Sequence, residues 1–262
     1  MGLFIHDEPL YDGGRLTGFS RYKELLSIRF GQWWKINLLT LLGFTPLAAG
    51  IFYAIATSSI LVLCPCSLVG GMIAGPFLAG MYDAVLRGMR DEHRPWWDCY
   101  QLAWKQNWKG GALLGAVMGL LLGMYAFMGM MLFWWAEVRP GLWTVALYLL
   151  GMLLILAVNS LLWPQIVLFR QKATVRLYNA GLFFLLHFWR ALGVGALQLG
   201  YWAVFVLFAP WTLLLLPVTG IWYIVFLSQF LLYEQMDNAF HIEEQFDMED
   251  EHHFTDMDRA TN

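Results

Sequence analysis

Four stretches of this chain contain no Asp, Glu, Lys or Arg: residues 36–82, 110–136, 140–169 and 191–233. They are 47, 27, 30 and 43 residues long, where one helical crossing of a bilayer needs about 20. At roughly 20–25 residues each, the runs hold two, one, one and two crossings. A water-soluble fold has no place for so much apolar sequence. Of the 262 residues 59% are hydrophobic and 13% charged, against roughly 25% charged in soluble domains. The chain therefore reads as an all-α polytopic membrane bundle of six spans. These fall at about 36–57, 60–86, 110–135, 141–169, 191–210 and 214–236, paired as three hairpins.

The net charge of −3 gains meaning when mapped. Ten of the 19 acidic residues lie between Glu234 and Asp258. Fourteen of the 16 basic residues fall in Arg15–Lys35, 87–109 and 170–190. Excess Lys and Arg mark cytoplasmic loops, so both termini and the two basic loops are expected in the cytoplasm. The opening MGLFIHDEPL has no basic n-region, so the first span is expected to insert as its own signal. His6 stands where a myristoylation motif needs Ser or Thr.

Within the third span Gly111, Gly115, Gly119 and Gly123 recur at every fourth position. Four residues of helix turn about 400°, so these glycines form a groove where another helix backbone can approach. Lipid gives helices no hydrophobic reason to associate, and close packing of small residues has to supply it. The second span is also rich in small residues: Gly70, Gly71, Gly75, Pro76 and Gly80.

Each hairpin is preceded by an amphipathic segment. Residues 1–18 form a polar arm, and from 19 to 34 Phe19, Tyr22, Leu26, Phe30 and Trp33 share one helical face, with Arg21 and Glu24 opposite. Pro95 opens a second such segment, about 95–108, with Trp97, Tyr100, Trp104 and Trp108 on one side. A third, about 173–189, aligns Val175, Tyr178, Leu182, Leu185 and Trp189. Trp34-Lys35, Trp108-Lys109 and Trp189-Arg190 close these segments at separations of 74 and 81 residues. They are expected to lie in the inner interface, where Trp and basic side chains meet lipid headgroups. The pattern is an internal repeat of interfacial helix plus hairpin. Residues 237–262 read as an acidic, disordered tail.

The segment Gly75–Leu114, GPFLAGMYDAVLRGMRDEHRPWWDCYQLAWKQNWKGGALL, resembles the YesL-like family of bacterial integral membrane proteins. The shared features are Gly75-Pro76, the exit at Arg87 and Arg90, the acidic turn Asp91-Glu92 and the aromatic run to Asn107-Trp108-Lys109. The stretch containing Trp34, Asn37 and Pro46 is similar as well. The resemblance implies a multi-span inner-membrane protein associated with carbohydrate uptake and degradation systems. It brings no catalytic residues, and it does not extend to Cys64-Pro65-Cys66 or the acidic tail.

Candidate chemistry is sparse. Cys-Pro-Cys at 64–66 offers two soft thiolates of the kind that hold Cu(I), with Met118, Met124, Met128, Met130 and Met131 as thioether candidates. The plainer reading is an outer turn with two small apolar residues. Asn159, Ser160, Gln198, Ser228 and Gln229 are the main polar residues of the later spans. They would either line a path for a neutral, hydroxylated solute or form interhelical hydrogen bonds. Asp83 and Arg87, four residues apart, read as a local ion pair. His241, His252 and His253 stand among the tail carboxylates as a weak divalent-metal candidate. No Ser-His-Asp, HExxH, Walker or dinucleotide pattern is present. The expectation is a non-enzymatic accessory component without cofactor. Its expected partners are lipids and a membrane protein or a second copy, not nucleic acid. A small carrier and a copper-binding protein are the alternatives.

Overall fold

The computed structural model describes residues 16–92, 95–169 and 171–242, and among them every regular element is helical. The helices are α1 (Gly18–Ala56), α2 (Ile60–Met89), α3 (Trp96–Met130), α4 (Leu142–Leu168), α5 (Ala173–Leu186), α6 (Phe188–Leu207) and α7 (Gly220–Phe240). A π-helical turn, Met131–Trp135, prolongs α3, and a 3-10 turn, Trp211–Leu215, lies between α6 and α7. By length and apolarity α1, α2, α3 with its π turn, α4 and α6 can each cross a membrane. The fold is that of a multi-pass helical membrane protein. Sequence arithmetic gives six crossings where five helices qualify among the described residues. In α7 the polar side chains Gln229, Glu234, Gln235 and Asp237 dilute the apolar run.

The first two amphipathic segments are not separate elements. Residues 19–34 and the first span form one helix of 39 residues, roughly 58 Å long at 1.5 Å per residue. Residues 96–108 likewise run unbroken into the glycine helix. Only the third segment is interrupted, at His187 (φ −115°, ψ 38°), so that Trp189 and Arg190 belong to the first turn of α6.

The centre of the molecule is the α2–α3 contact. Gly111, Gly115 and Gly119 of α3 meet the backbone of Ser67, Gly71 and Gly75 of α2, running in opposite directions, while Gly123 meets the Ser67 side chain. A methyl group added at Gly119 would lie 2.6 Å from the Ser67 carbonyl oxygen and 2.7 Å from Gly71 Cα. One added at Gly115 would lie 2.6 Å from Gly75 Cα. On its other side α2 packs against α1, where a Cβ on Gly50 would meet Cys66 Cβ at 2.8 Å. α4 joins α3 through Tyr148, whose hydroxyl donates to Tyr125 O at 3.1 Å. α6 presses Gly195 between Leu153 O and Ala157 of α4.

The α6–α7 connection departs from the hairpin plan. The sequence places it outside, with the turns at 57–59 and 136–141. In the fold Asn37 of α1, fully buried, ties it down. Asn37 Nδ2 donates to Leu216 O (2.9 Å) and Pro217 O (3.1 Å), and Oδ1 accepts from the amides of Ile221 (2.9 Å) and Trp222 (3.3 Å). A side chain of α1 thus caps the first turn of α7. A helix N-terminus has free N–H groups, and in apolar surroundings they need an acceptor. Asn37 stands 20 residues before the α1–α2 turn at Thr57, roughly 30 Å along the helix. The third connection therefore sits roughly 30 Å along α1 from that turn, where the first charge-free run begins.

Gly119→Leu should lower stability by about 1–3 kcal/mol through overpacking, because the opposing atoms are backbone and cannot turn aside. Gly193, with nothing within 4 Å of an added Cβ, is the control. Gly193→Ala should be neutral or stabilising by up to about 1 kcal/mol of helix propensity. Thermal unfolding in detergent measures both; equal effects would remove the distinction between the two sites.

Candidate functional site

Four of the five polar residues proposed to line a path come together where α4, α6 and α7 meet. Gln198 Nε2 donates to Ser160 Oγ at 2.7 Å and to Ser228 Oγ at 2.9 Å. Ser160 Oγ donates to Leu156 O at 2.9 Å within α4, and Gln229 Nε2 donates to Ser160 O at 3.0 Å. All four side chains are buried. The fifth, Asn159, stays apart and accepts from Trp163 Nε1 at 2.7 Å on its own helix. The group is a cross-brace: each amide spends its donors on the neighbouring helix, and Gln229 Oε1 is left without a partner.

A second cluster gathers the charges at one end of α1 and α2. Arg21, Leu25, Arg29 and Trp33 recur at every fourth position and form the buried side of the α1 N-terminal half. Arg21 is 8% and Arg29 6% exposed, whereas Phe19 is 68% exposed. The packed side takes in Tyr22, Leu26 and Trp33 of the apolar face and extends round to Arg21 and Arg29, while Phe19 and Phe30 are left exposed. The partners of the two arginines are the residues that end α2. Arg21 Nη2 bonds Asp91 Oδ2 (2.6 Å) and Met89 O (3.1 Å), and Arg29 Nη2 donates to Glu92 O at 3.0 Å. Arg87 bridges Asp83 Oδ2 (2.7 Å) and Glu92 Oε2 (2.6 Å), and Arg90 takes Glu92 Oε1 at 2.6 Å. Asp91, at φ 62°, adopts the left-handed conformation that ends the helix and turns these carboxylates back. Burial pushes the Glu92 carboxyl up, and the Arg90 and Arg87 guanidiniums reverse this, holding it below its usual range.

The aromatic and basic entries are distributed differently. Trp34, Trp108 and Trp189 are exposed. Lys35 lies over the Trp96 ring at 5.7 Å, and Trp108 packs at a tilt against Trp104 at 4.7 Å. Lys109 and Arg190 are exposed beside their tryptophans.

Cys64-Pro65-Cys66 lies in the second turn of α2, not in a turn between helices. Residues two apart on a helix point about 200° away from each other. Cys64 and Cys66 therefore cannot close on one metal ion or on one another, and both are free thiols. Among the described residues no three His, Cys, Asp or Glu side chains gather as a metal site. The tail candidates His252 and His253, the N-terminal arm to residue 15 and residues 243–262 lie outside the described residues.

Sequence reasoning passed over Asn37 as a functional side chain and set Arg21 on an outward face. The available signals were a lone amide at the head of a 47-residue charge-free run and two arginines in register with Leu25 and Trp33. No family model, curated protein or solved structure matches the chain.

The Glu92 pairing sets a pH dependence. A carboxyl held low in the folded state adds stability that is complete above its unfolded value of about 4.3. That contribution is lost as pH falls through the lower folded value. The unfolding temperature should therefore drop on acidification below about pH 4. Glu92→Gln should lower it at neutral pH and make the acid limb shallower; an unchanged acid limb would show that other carboxyls carry it.

Proposed function

We propose that this chain is a non-enzymatic multi-pass protein of the bacterial cytoplasmic membrane, an accessory or regulatory component of a larger system for carbohydrate uptake or utilisation. The observation that carries the accessory reading is the cross-brace. Gln198, Ser160, Ser228 and Gln229 engage one another and the α4 backbone rather than a passage. The carbohydrate context rests on the resemblance of Gly75–Leu114 to the YesL-like family.

In this reading the basic loops, the N-terminal arm and the acidic tail face the cytoplasm, in keeping with their charge. The bonds from Asn37 lead us to set the α6–α7 connection on that side too. Then α1 to α4 supply the crossings, and α5 to α7 return to the side on which they began. A membrane-protein partner or a second copy docks against the inner face, and lipid covers the apolar flanks.

The carrier is the second reading, favoured by one atom: Gln229 Oε1 is a buried acceptor with no donor. A purified chain in proteoliposomes is expected to give solute flux at the protein-free level, and flux abolished by Gln198→Leu would establish the carrier instead. Purification in mild detergent from native membranes is expected to retain a stoichiometric transporter or enzyme partner. Recovery of this chain alone would count against the accessory role.

A labelling experiment decides the connection. Leu214, 73% exposed, replaced by Cys should react with a membrane-impermeant maleimide in inside-out vesicles and not in whole cells. Labelling in whole cells would restore the outer turn and with it the fifth and sixth crossings.

A further inference from the structure

A cavity of about 270 Å³ opens between Leu39 of α1, Phe77 of α2 and one face of α3, formed by Trp97, Tyr100, Gln101, Trp104 and Lys105. It is close to the lower bound of roughly 300 Å³ for small-molecule sites. Five of the seven lining residues are aromatic or aliphatic, one is a cation and none is a carboxylate. The walls are held in place: Phe77 meets Trp104 edge-on at 6.2 Å, Trp97 stacks on Tyr100 at 6.4 Å and Trp104 packs on Trp108 at 4.7 Å.

One wall residue carries a buried polar atom that nothing in the protein satisfies. The indole N–H of Trp104 is buried without a hydrogen-bond partner, whereas the Tyr100 hydroxyl has the Thr40 hydroxyl as its neighbour. Thr40 donates its own hydroxyl to Ile36 O at 2.9 Å. A buried donor without an acceptor is costly, so the missing acceptor has to be accounted for. The cavity also lies where the charge-free runs of α1 and α3 begin, at 36 and 110.

We propose that this cavity binds an anionic phospholipid of the inner leaflet, its acyl chain against Phe77, Trp97 and Trp104 and its phosphate at Lys105. The match is one of chemistry. The aromatic walls suit hydrocarbon, Lys105 at the rim suits a phosphodiester, and ester or phosphate oxygens are acceptors only. The leaflet rests on the orientation proposed above, but the binding itself does not, since it is measurable in detergent.

The test uses the full chain in mild detergent, with native mass spectrometry counting retained lipid and thermal unfolding as a second readout. Phosphatidylglycerol is expected to be retained at one molecule per chain and to raise the unfolding temperature, while phosphatidylcholine and inorganic phosphate do neither. Lys105→Glu should weaken retention about tenfold through charge reversal. Gln101→Trp should abolish it by filling the mouth. Both positions are exposed, so neither variant should shift the lipid-free unfolding temperature appreciably. Lys109→Glu, one turn further along α3 and not part of the lining, should leave retention unchanged. Equal retention of the two lipids overturns the proposal, as does an equal loss in the Lys109 variant. Retention undiminished in both cavity variants, or stabilisation by inorganic phosphate alone, overturns it as well.

Discussion

The fold depends on two helix backbones lying against each other. In lipid, exposed apolar side chains gain nothing by leaving their surroundings, so association has to come from close packing and polar bonds. Gly111, Gly115 and Gly119 on α3 meet the backbone of Ser67, Gly71 and Gly75 on α2 with no side chain between the two main chains, and Gly123 receives the Ser67 side chain. Once α2 and α3 are fixed, α1 packs on the other flank of α2 and α4 follows α3 through its short connection. The small residues are therefore distributed by contact rather than by helix: Gly70 faces Leu47 of α1 while its neighbour Gly71 faces α3.

Polar residues then decide what packing leaves open. A bundle held only by glycine contacts would let α6 and α7 settle in several registers. Gln198, Ser160, Ser228 and Gln229 remove that freedom, because a shifted register would strand buried amides. Asn37 does the same for the α6–α7 connection, with two donors and an acceptor directed at main-chain groups that otherwise lack partners. At the start of α1 its arginines find the carboxylates and carbonyls that close α2. Arg21 and Arg29 thus fix how far α1 overlaps the end of its neighbour.

The helical membrane class was legible from the charge-free runs alone, because a span is defined by its own length and composition. The existence of a glycine groove on α3 was legible for the same reason. What the sequence did not yield was pairing. Ser67, Gly71 and Gly75 repeat at the same spacing as the α3 glycines, but nothing local says that the two rows face each other. Arg21 misled because amphipathicity assigns polar side chains to water, whereas four-residue spacing with Leu25 and Trp33 put both arginines on the packed side. The third hairpin misled through the repeat itself. Trp189-Arg190 imitates the other two entries, yet the helix breaks at His187 and α7 carries amides that a lipid-facing span avoids.

That break in the repeat gives the molecule two unlike halves. The α1–α4 half is held by backbone contact and ends in a dense ion network; the α5–α7 half is held by amides and hydroxyls. A glycine interface loses its packing if it slides, while a hydrogen-bonded one can exchange partners at modest cost, since interhelical bonds in membranes average below about 1 kcal/mol. Movement, where a partner or a lipid induces it, is therefore expected in α5–α7 pivoting on Asn37, with α1–α4 as the fixed frame. The accessory role proposed above would use that division, with a rigid anchor in the bilayer and a second layer of helices whose position a neighbour could read.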